Sequence, residues 1–374
     1  MQNKSTKFRR NDFDVANVVN VTDPKSVGDM LENIFLDLYP DADFSILRKA
    51  ISDISGMYRG EHPGYAACDT GYHDLQHIMD VTLASARLMD GYERSPKSGA
   101  GLGEELFIFG ILLALFHDSG YLRKRGSEDD RQGAEFTLVH VSRSAELLKN
   151  YMREAGLGNL AETAAQVVHY TGFEVPVDRI RVPSPVYRTI GNLVASADIL
   201  AQMSDRCYLE KCHDRLYTEF VLGGIAKKRD AQGNEQVIFS SPQDLLVKTP
   251  GFYRSAKKRM DETLHGDHRY VRYVEKHFSG QNLYIEAIEK NILFAEYMIA
   301  HNADIGMLQR TPPQTPGSDL ASRETDDRKQ MVEDRRKRIG DRRQNTGQLY
   351  PDLSDRLNRR QNAGDRRRDT SSKK

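Results

Sequence analysis

Four residues of this 374-residue chain have side chains that can share one metal ion: His77, His117, Asp118 and Asp198. Imidazole nitrogens mixed with carboxylate oxygens suit a divalent ion such as zinc, iron, manganese or magnesium. Water beside such an ion loses a proton near neutral pH and becomes a nucleophile. Hydrolytic chemistry is therefore expected, with one or two ions. Asp118 is the ligand expected to bridge if two ions bind.

Each signal is weak alone, and context separates them. The chain has three His-Asp pairs, His73-Asp74, His117-Asp118 and His213-Asp214. The third lies among polar residues and reads as surface. The second ends Glu104 to Phe116, the most apolar stretch of the chain. An ionised carboxylate there is costly unless it is paired or ligated. Asp198 sits in Leu193-Val194-Ala195-Ser196-Ala197-Asp198-Ile199-Leu200, with no basic residue one helical turn away on either side. It too calls for a cation. Arg123, Lys124 and Arg143 follow the His117-Asp118 pair and are candidates to hold phosphate oxygens, since a guanidinium suits bidentate contact with them.

The elements that must position these groups read as helices. Helical apolar spacing covers Ser26 to Leu38, Ile46 to Met57, Tyr72 to Met89, Glu104 to Phe116, Thr137 to Ala155, Leu160 to His169 and Val186 to Gln202. On the third of these, His73 and His77 are four residues apart and share a face. Asp205 to Val221, Pro250 to Leu264 and Gly280 to His301 extend the pattern, and turn-rich Gly223 to Ser241 suits a short hairpin. The reading is an all-α body, residues 1–305, in one domain.

Beyond it, Thr311 to Ser318 reads as a linker, and Asp-Arg-Arg recurs at Asp334, Asp341 and Asp365. Residues 306–374 hold 18 Lys and Arg against 11 Asp and Glu, while the body holds 36 against 43. With so little to bury, 306–374 is expected to be a disordered basic tail. It is a solvated segment or a contact for nucleic acid or another acidic partner. No stretch approaches the roughly 18 apolar residues of a membrane span, and residues 1–20 carry no apolar core of a secretory signal. Cys68, Cys207 and Cys212 form no metal knuckle, which suits reduced thiols and a cytoplasmic compartment.

The string Tyr72-His73-Asp74-Leu75-Gln76-His77-Ile78-Met79-Asp80-Val81 resembles the Y-H-N-x-x-H-A-x-D-V signature of class I cyclic nucleotide phosphodiesterases. Leu112-Leu113-Ala114-Leu115-Phe116-His117-Asp118 resembles the HD-motif helix of the wider HD superfamily, and Asp198 fits its closing Asp. The match spans roughly residues 72–203. It implies an HD-type helical bundle and a metal-dependent phosphohydrolase, most specifically a phosphodiesterase acting on a (cyclic) nucleotide. It implies that His73 is the general acid and that His77 is a ligand; a nearby carboxylate can hold such a histidine protonated, and Asp74 or Asp80 is expected to do so. His140 and His169 stand where two-metal HD enzymes carry extra histidines. Asp74 replaces the family's Asn, Ser119-Gly120-Tyr121 stands where H-P-G usually follows, and no purine-reading glutamine is evident. The alternatives are a nucleotide phosphomonoesterase or triphosphohydrolase of the same superfamily, and a non-catalytic HD module that binds a nucleotide or a partner.

Overall fold

Helix α3 (Leu75–Glu93) is buried along almost its whole length, and α1 (Pro24–Leu38), α4 (Glu104–Phe116) and α7 (Pro185–Ser204) pack around it. The structure is a computed structural model. It describes residues 9–96, 101–229, 234–274, 278, 280–302 and 305–314. The chain divides into two units, 1–321 and 322–374, and all of the second lies outside the described residues.

Local chemistry sets the helix starts. Asp23 accepts a hydrogen bond from the Lys25 amide and Pro24 opens α1, a residue with no amide hydrogen to leave unpaired. Asp74 accepts from the His77 amide and starts α3. This places His73 in the bend before the helix, not on the helical face that its spacing from His77 suggests. Asp74 competes for the first free amides, and the residue ahead of such a cap leaves the helix. α2 (Ser45–Arg59) stops at Gly60, whose φ of 74° is left-handed. α4 is apolar on every side, and that pattern drives a helix into the centre rather than onto a surface.

The second half follows the expected order with shifted ends. α5 (His140–Glu154) and α6 (Gly158–Val167) pack against each other, and α6 runs into a 3-10 turn at Val168–Tyr170. After α7, the expected Asp205 to Val221 helix is broken into α8 (Tyr208–Lys211), a wide π-turn at Cys212–Leu216, and α9 (Tyr217–Leu222). The hairpin forms as β1 (Lys227–Arg229) against β2 (Glu235–Val237), antiparallel. α10 (Pro242–Lys258) begins eight residues before the expected Pro250, because Ser241 caps it by accepting from the Asp244 amide. α11 (Leu283–Ala300) is capped by Asn282.

Residues 305–314 correct the expected start of disorder. Leu308 is buried, the Arg310 guanidinium donates to the Arg206 carbonyl at 2.5 Å, and Arg215 donates to the Pro313 carbonyl at 2.7 Å. The rest of the expected tail, from residue 315, lies outside the described residues. Cys68, Cys207 and Cys212 are free and buried, and burial pushes each thiol up to about 12. Among the described residues no helix is long and apolar enough to cross a membrane.

One charge lies deep in this core. Arg87 of α3 is fully buried and donates to Asp14 at 2.7 Å and to the Tyr284 hydroxyl at 3.1 Å. Asp14 also accepts from the amides of Val18 and Val19, both at 2.7 Å. The pair ties the N-terminal loop and α11 to α3. Removing one partner strands the other charge. Asp14→Ala is therefore expected to cost about 3–5 kcal/mol of stability in a urea titration, with the slope unchanged; a change under about 1 kcal/mol would show that the pair does not hold these elements together.

Candidate metal centre and proton donor

Three elements deliver the central cluster. α4 carries its apolar surface inward and ends at His117 and Asp118, so both arrive in the interior. The capped first turn of α3 presents His77. The middle of α7 presents Asp198. His77 Nε2 lies 3.3 Å from His117 Nε2, and both nitrogens lie 3.2 Å from one oxygen of Asp118. Asp198 Oδ1 stands 3.5 Å from His77 Nε2 and 3.9 Å from His117 Nε2. The other oxygen of Asp118 faces His140 Nε2 at 3.4 Å, so this carboxylate presents one oxygen to each side.

The donor set fits a metal ion. His117 Nδ1 donates to the Ala114 carbonyl at 2.8 Å and His140 Nδ1 to the Thr137 carbonyl at 2.7 Å. A carbonyl only accepts, so both Nδ1 atoms carry the proton and each neutral ring turns an Nε2 lone pair toward Asp118. Lone pairs facing a carboxylate and one another repel unless a cation lies between. An ion about 2.1 Å from each ligand atom sets those atoms about 3–3.5 Å apart, close to the spacing found. His77, His117 and Asp118 are all buried, with their ligand atoms within 4.8 Å of one another.

Without an ion, protons take up part of this load. Burial opposes charge on His117, but Asp118 and Asp198 outweigh it and lift its pKa to about 9. Burial also works against ionised Asp118, yet the adjoining histidines hold it well below the usual carboxylate range. Burial lowers His140 and keeps it neutral.

A second arrangement adjoins the first. His73 Nδ1 lies 2.6 Å from Glu219 Oε2 of α9, and the other oxygen of Glu219 accepts from the Tyr72 amide at 2.6 Å. The His73 ring stacks on Tyr121 at 4.5 Å, and Tyr121 stacks on His140 at 4.6 Å. Burial works against a charged His73, but Glu219, with help from Asp118 and Asp198, raises its pKa to about 8. Its side chain stays 16% exposed.

Glu219 escaped the sequence reading. The signal was an acidic residue in Tyr217-Thr218-Glu219-Phe220-Val221-Leu222, the same apolar setting that singled out Asp198. Asp74 and Asp80, expected as partners of His73, serve elsewhere. Asp74 caps α3 and pairs with Arg215 at 3.3 Å. Asp80 is buried with one oxygen unpartnered, burial lifts it to about 7, and it lines a small cavity with Gln76, His77, Asp205 and Lys211.

The remaining candidates fall outside the cluster. His169 is half-buried with Nδ1 unpartnered. Among the described residues no ion pair or hydrogen bond joins it to His77, His117, Asp118 or Asp198. Arg123 pairs with Asp69 at 3.0 Å. Arg143 spends its donors on Glu128 and on the carbonyls of Gly120 and Leu122, with Phe136 stacked 3.7 Å from its guanidinium. Both arginines thus brace the loop after Asp118 rather than aim at a phosphate. Lys124 is exposed on that loop. Gly120 is required there, because a Cβ would fall 1.9 Å from the His140 carbonyl.

The chain matches no protein-family model, no curated protein and no solved structure. The site therefore rests on its own geometry. His117→Ala and Asp118→Ala are each expected to weaken manganese or zinc binding by more than about 100-fold, beyond the usual effect of losing a residue that merely supports a ligand. Lys124→Ala should leave it unchanged. Calorimetric titration of metal-stripped protein checks this, and equal affinity across the three variants would place the ion elsewhere.

Proposed function

We propose that the protein is a metal-dependent phosphoester hydrolase of the HD type, and most specifically a phosphodiesterase acting on a nucleotide. The observation that carries this reading is the pairing of two unlike arrangements. A buried His77–His117–Asp118 cluster completed by Asp198 stands beside His73, a histidine held in its charged form by Glu219. The resemblance of the segments around His77 and His117 to the phosphodiesterase signature and the HD-motif helix supports it.

A divalent ion held by these residues supplies Lewis acidity toward phosphoryl oxygens and acidifies water. His77, His117, Asp118 and Asp198 would hold it, and His140 stands on the far side of Asp118 where a second ion would need a ligand. The protein's own contribution is the proton. His73 carries it at neutral pH and presents the free side of its ring to the leaving oxygen, which needs a proton as the ester bond breaks. Glu219 stabilises the charged ring, and stacking on Tyr121 fixes its plane. Tyr121 therefore keeps donor and cluster at a set separation.

Purified protein with added manganese is expected to hydrolyse members of a panel of cyclic nucleotides, cyclic dinucleotides, nucleotides and bis-p-nitrophenyl phosphate. The Asp118→Ala variant should not. Nucleoside monophosphate as product fits the diesterase, and free phosphate fits the monoesterase. No turnover above the variant on any member contradicts the reading.

His73 also sets a pH limit. Its raised pKa keeps the donor charged to about 8, so kcat should fall as pH climbs through that value. Glu219→Gln removes the main stabilising charge and should move this limb toward the ordinary histidine range near 6.5. His73→Ala should lower kcat by about 10²–10⁴ while metal binding persists. A limb that stays near pH 8 in Glu219→Gln contradicts the role of the pair.

A further inference from the structure

Gly71 to Asp74 form a bend, and two histidines depend on it. His73 lies within it, and His77 stands in the helical turn that Asp74 caps. A bend has no repeating ladder of hydrogen bonds, so its shape is set by the groups that hold it. Within the segment, the Thr70 hydroxyl donates to the His73 carbonyl at 2.8 Å.

From outside, two side chains of one helical run reach the bend. Glu219 of α9 accepts from the Tyr72 amide and faces the His73 ring. Arg215, in the π-turn just before α9, takes the two ends. Its Nη1 donates to the Gly71 carbonyl at 3.0 Å and to Oδ2 of Asp74 at 3.3 Å. Its stem runs beside Gly71, where a Cβ would meet Cγ at 3.4 Å. Asp74 is buried, and its other oxygen accepts from the His77 amide at 3.0 Å. A buried carboxylate keeps its charge beside a counter-charge, so the guanidinium supports the cap that starts α3. Asp74 stands where the resembled signature carries Asn, and only the acid offers an arginine an ion pair.

The remaining contact of Arg215 leads away from the site. Its Nη2 donates to the Pro313 carbonyl at 2.7 Å. The strap carrying Pro313 is fastened separately. Leu308 is buried, the Arg310 amide donates to Glu210 at 3.2 Å, the Arg310 guanidinium donates to the Arg206 carbonyl, and Asn11 donates to the Thr311 carbonyl at 3.1 Å. One guanidinium thus joins the strap to both ends of the bend, a task that suits a rigid planar fork of donors.

We propose that Arg215 is a positioning residue for His73 and His77, and that the strap at Pro313 holds Arg215 in place. This deepens the phosphoester reading above and rests on it. Arg215 acts through the backbone of the bend and the cap of α3, not on the reacting atoms.

The full chain is compared with Arg215→Ala, Arg215→Lys, Arg310→Ala and the double variant Arg215→Ala/Arg310→Ala. Amide exchange of metal-free protein, read by mass spectrometry, should quicken in Arg215→Ala over residues 70–78 and stay unchanged along α4. With manganese and bis-p-nitrophenyl phosphate, kcat should fall by about 10–100-fold, the usual effect of losing a residue that orients a ligand, with KM unchanged. Arg215→Lys keeps a cation beside Asp74 but loses the fork, and should show the same local quickening to a smaller degree. Arg310→Ala should also lower kcat, and should add nothing to Arg215→Ala in the double variant. Exchange over 70–78 unchanged in both Arg215 variants, or quickened equally along α4, overturns the role, as does a loss carried by KM alone. Additive losses in the double variant overturn the link to the strap. Exchange is read without turnover, which separates the two claims. Local quickening in a protein that hydrolyses nothing removes the hydrolase reading alone, and hydrolysis with unchanged exchange removes the role of Arg215 alone.

Discussion

A buried carboxylate surrounded by imidazoles organises this molecule. Asp118 lies in the interior with His77 and His117 against one of its oxygens and His140 against the other. Removing a carboxylate from water is so costly that the fold must return the loss through charge nearby. Several features of the structure follow. α4 is apolar all round, and that buries His117 and Asp118 at its end. α3 is capped at Asp74 because its first turn must hold His77. Gly120 lacks a side chain because α5 must come close enough for His140 to face Asp118. Arg143 clamps the loop after Asp118 with its donors, so that the loop cannot relax away.

Two neighbouring histidines, His140 and His73, are pushed in opposite directions. His140 is held neutral by burial and tied through Nδ1 to a backbone carbonyl, as suits a ligand. His73 is held charged by Glu219, as suits a donor. The Tyr121 ring lies between them, stacked on both.

Much of this was legible in the sequence because it is written in local contrast. An aspartate between Ala197 and Ile199, or after the apolar run ending at Phe116, stands out against its neighbours, and both reached the site. Helical periodicity gave the helices, and turn-rich composition gave the hairpin after α9. What escaped depends on contacts far apart in the chain. Glu219 meets His73 across 146 positions, and Arg87 meets Asp14 across 73. The start of α3 was misplaced because a cap is a competition for one amide, which periodicity does not register. Arg123 and Arg143 looked free because their partners, Asp69 and Glu128, are found only in three dimensions. The docked residues 305–314 are short and proline-containing, and their attachment shows only in contacts far apart in the chain, such as Arg310 to the Arg206 carbonyl and Arg215 to the Pro313 carbonyl.

The central claim is that a metal ion, not a shared proton, satisfies the lone pairs converging on Asp118. Diffraction from crystals grown with manganese, recorded at its absorption edge, tests it most directly. The account predicts an anomalous peak within bonding distance of His77 Nε2, His117 Nε2 and a carboxylate oxygen of Asp118. A map without that peak, with His117 instead hydrogen-bonded directly to Asp118, would contradict it.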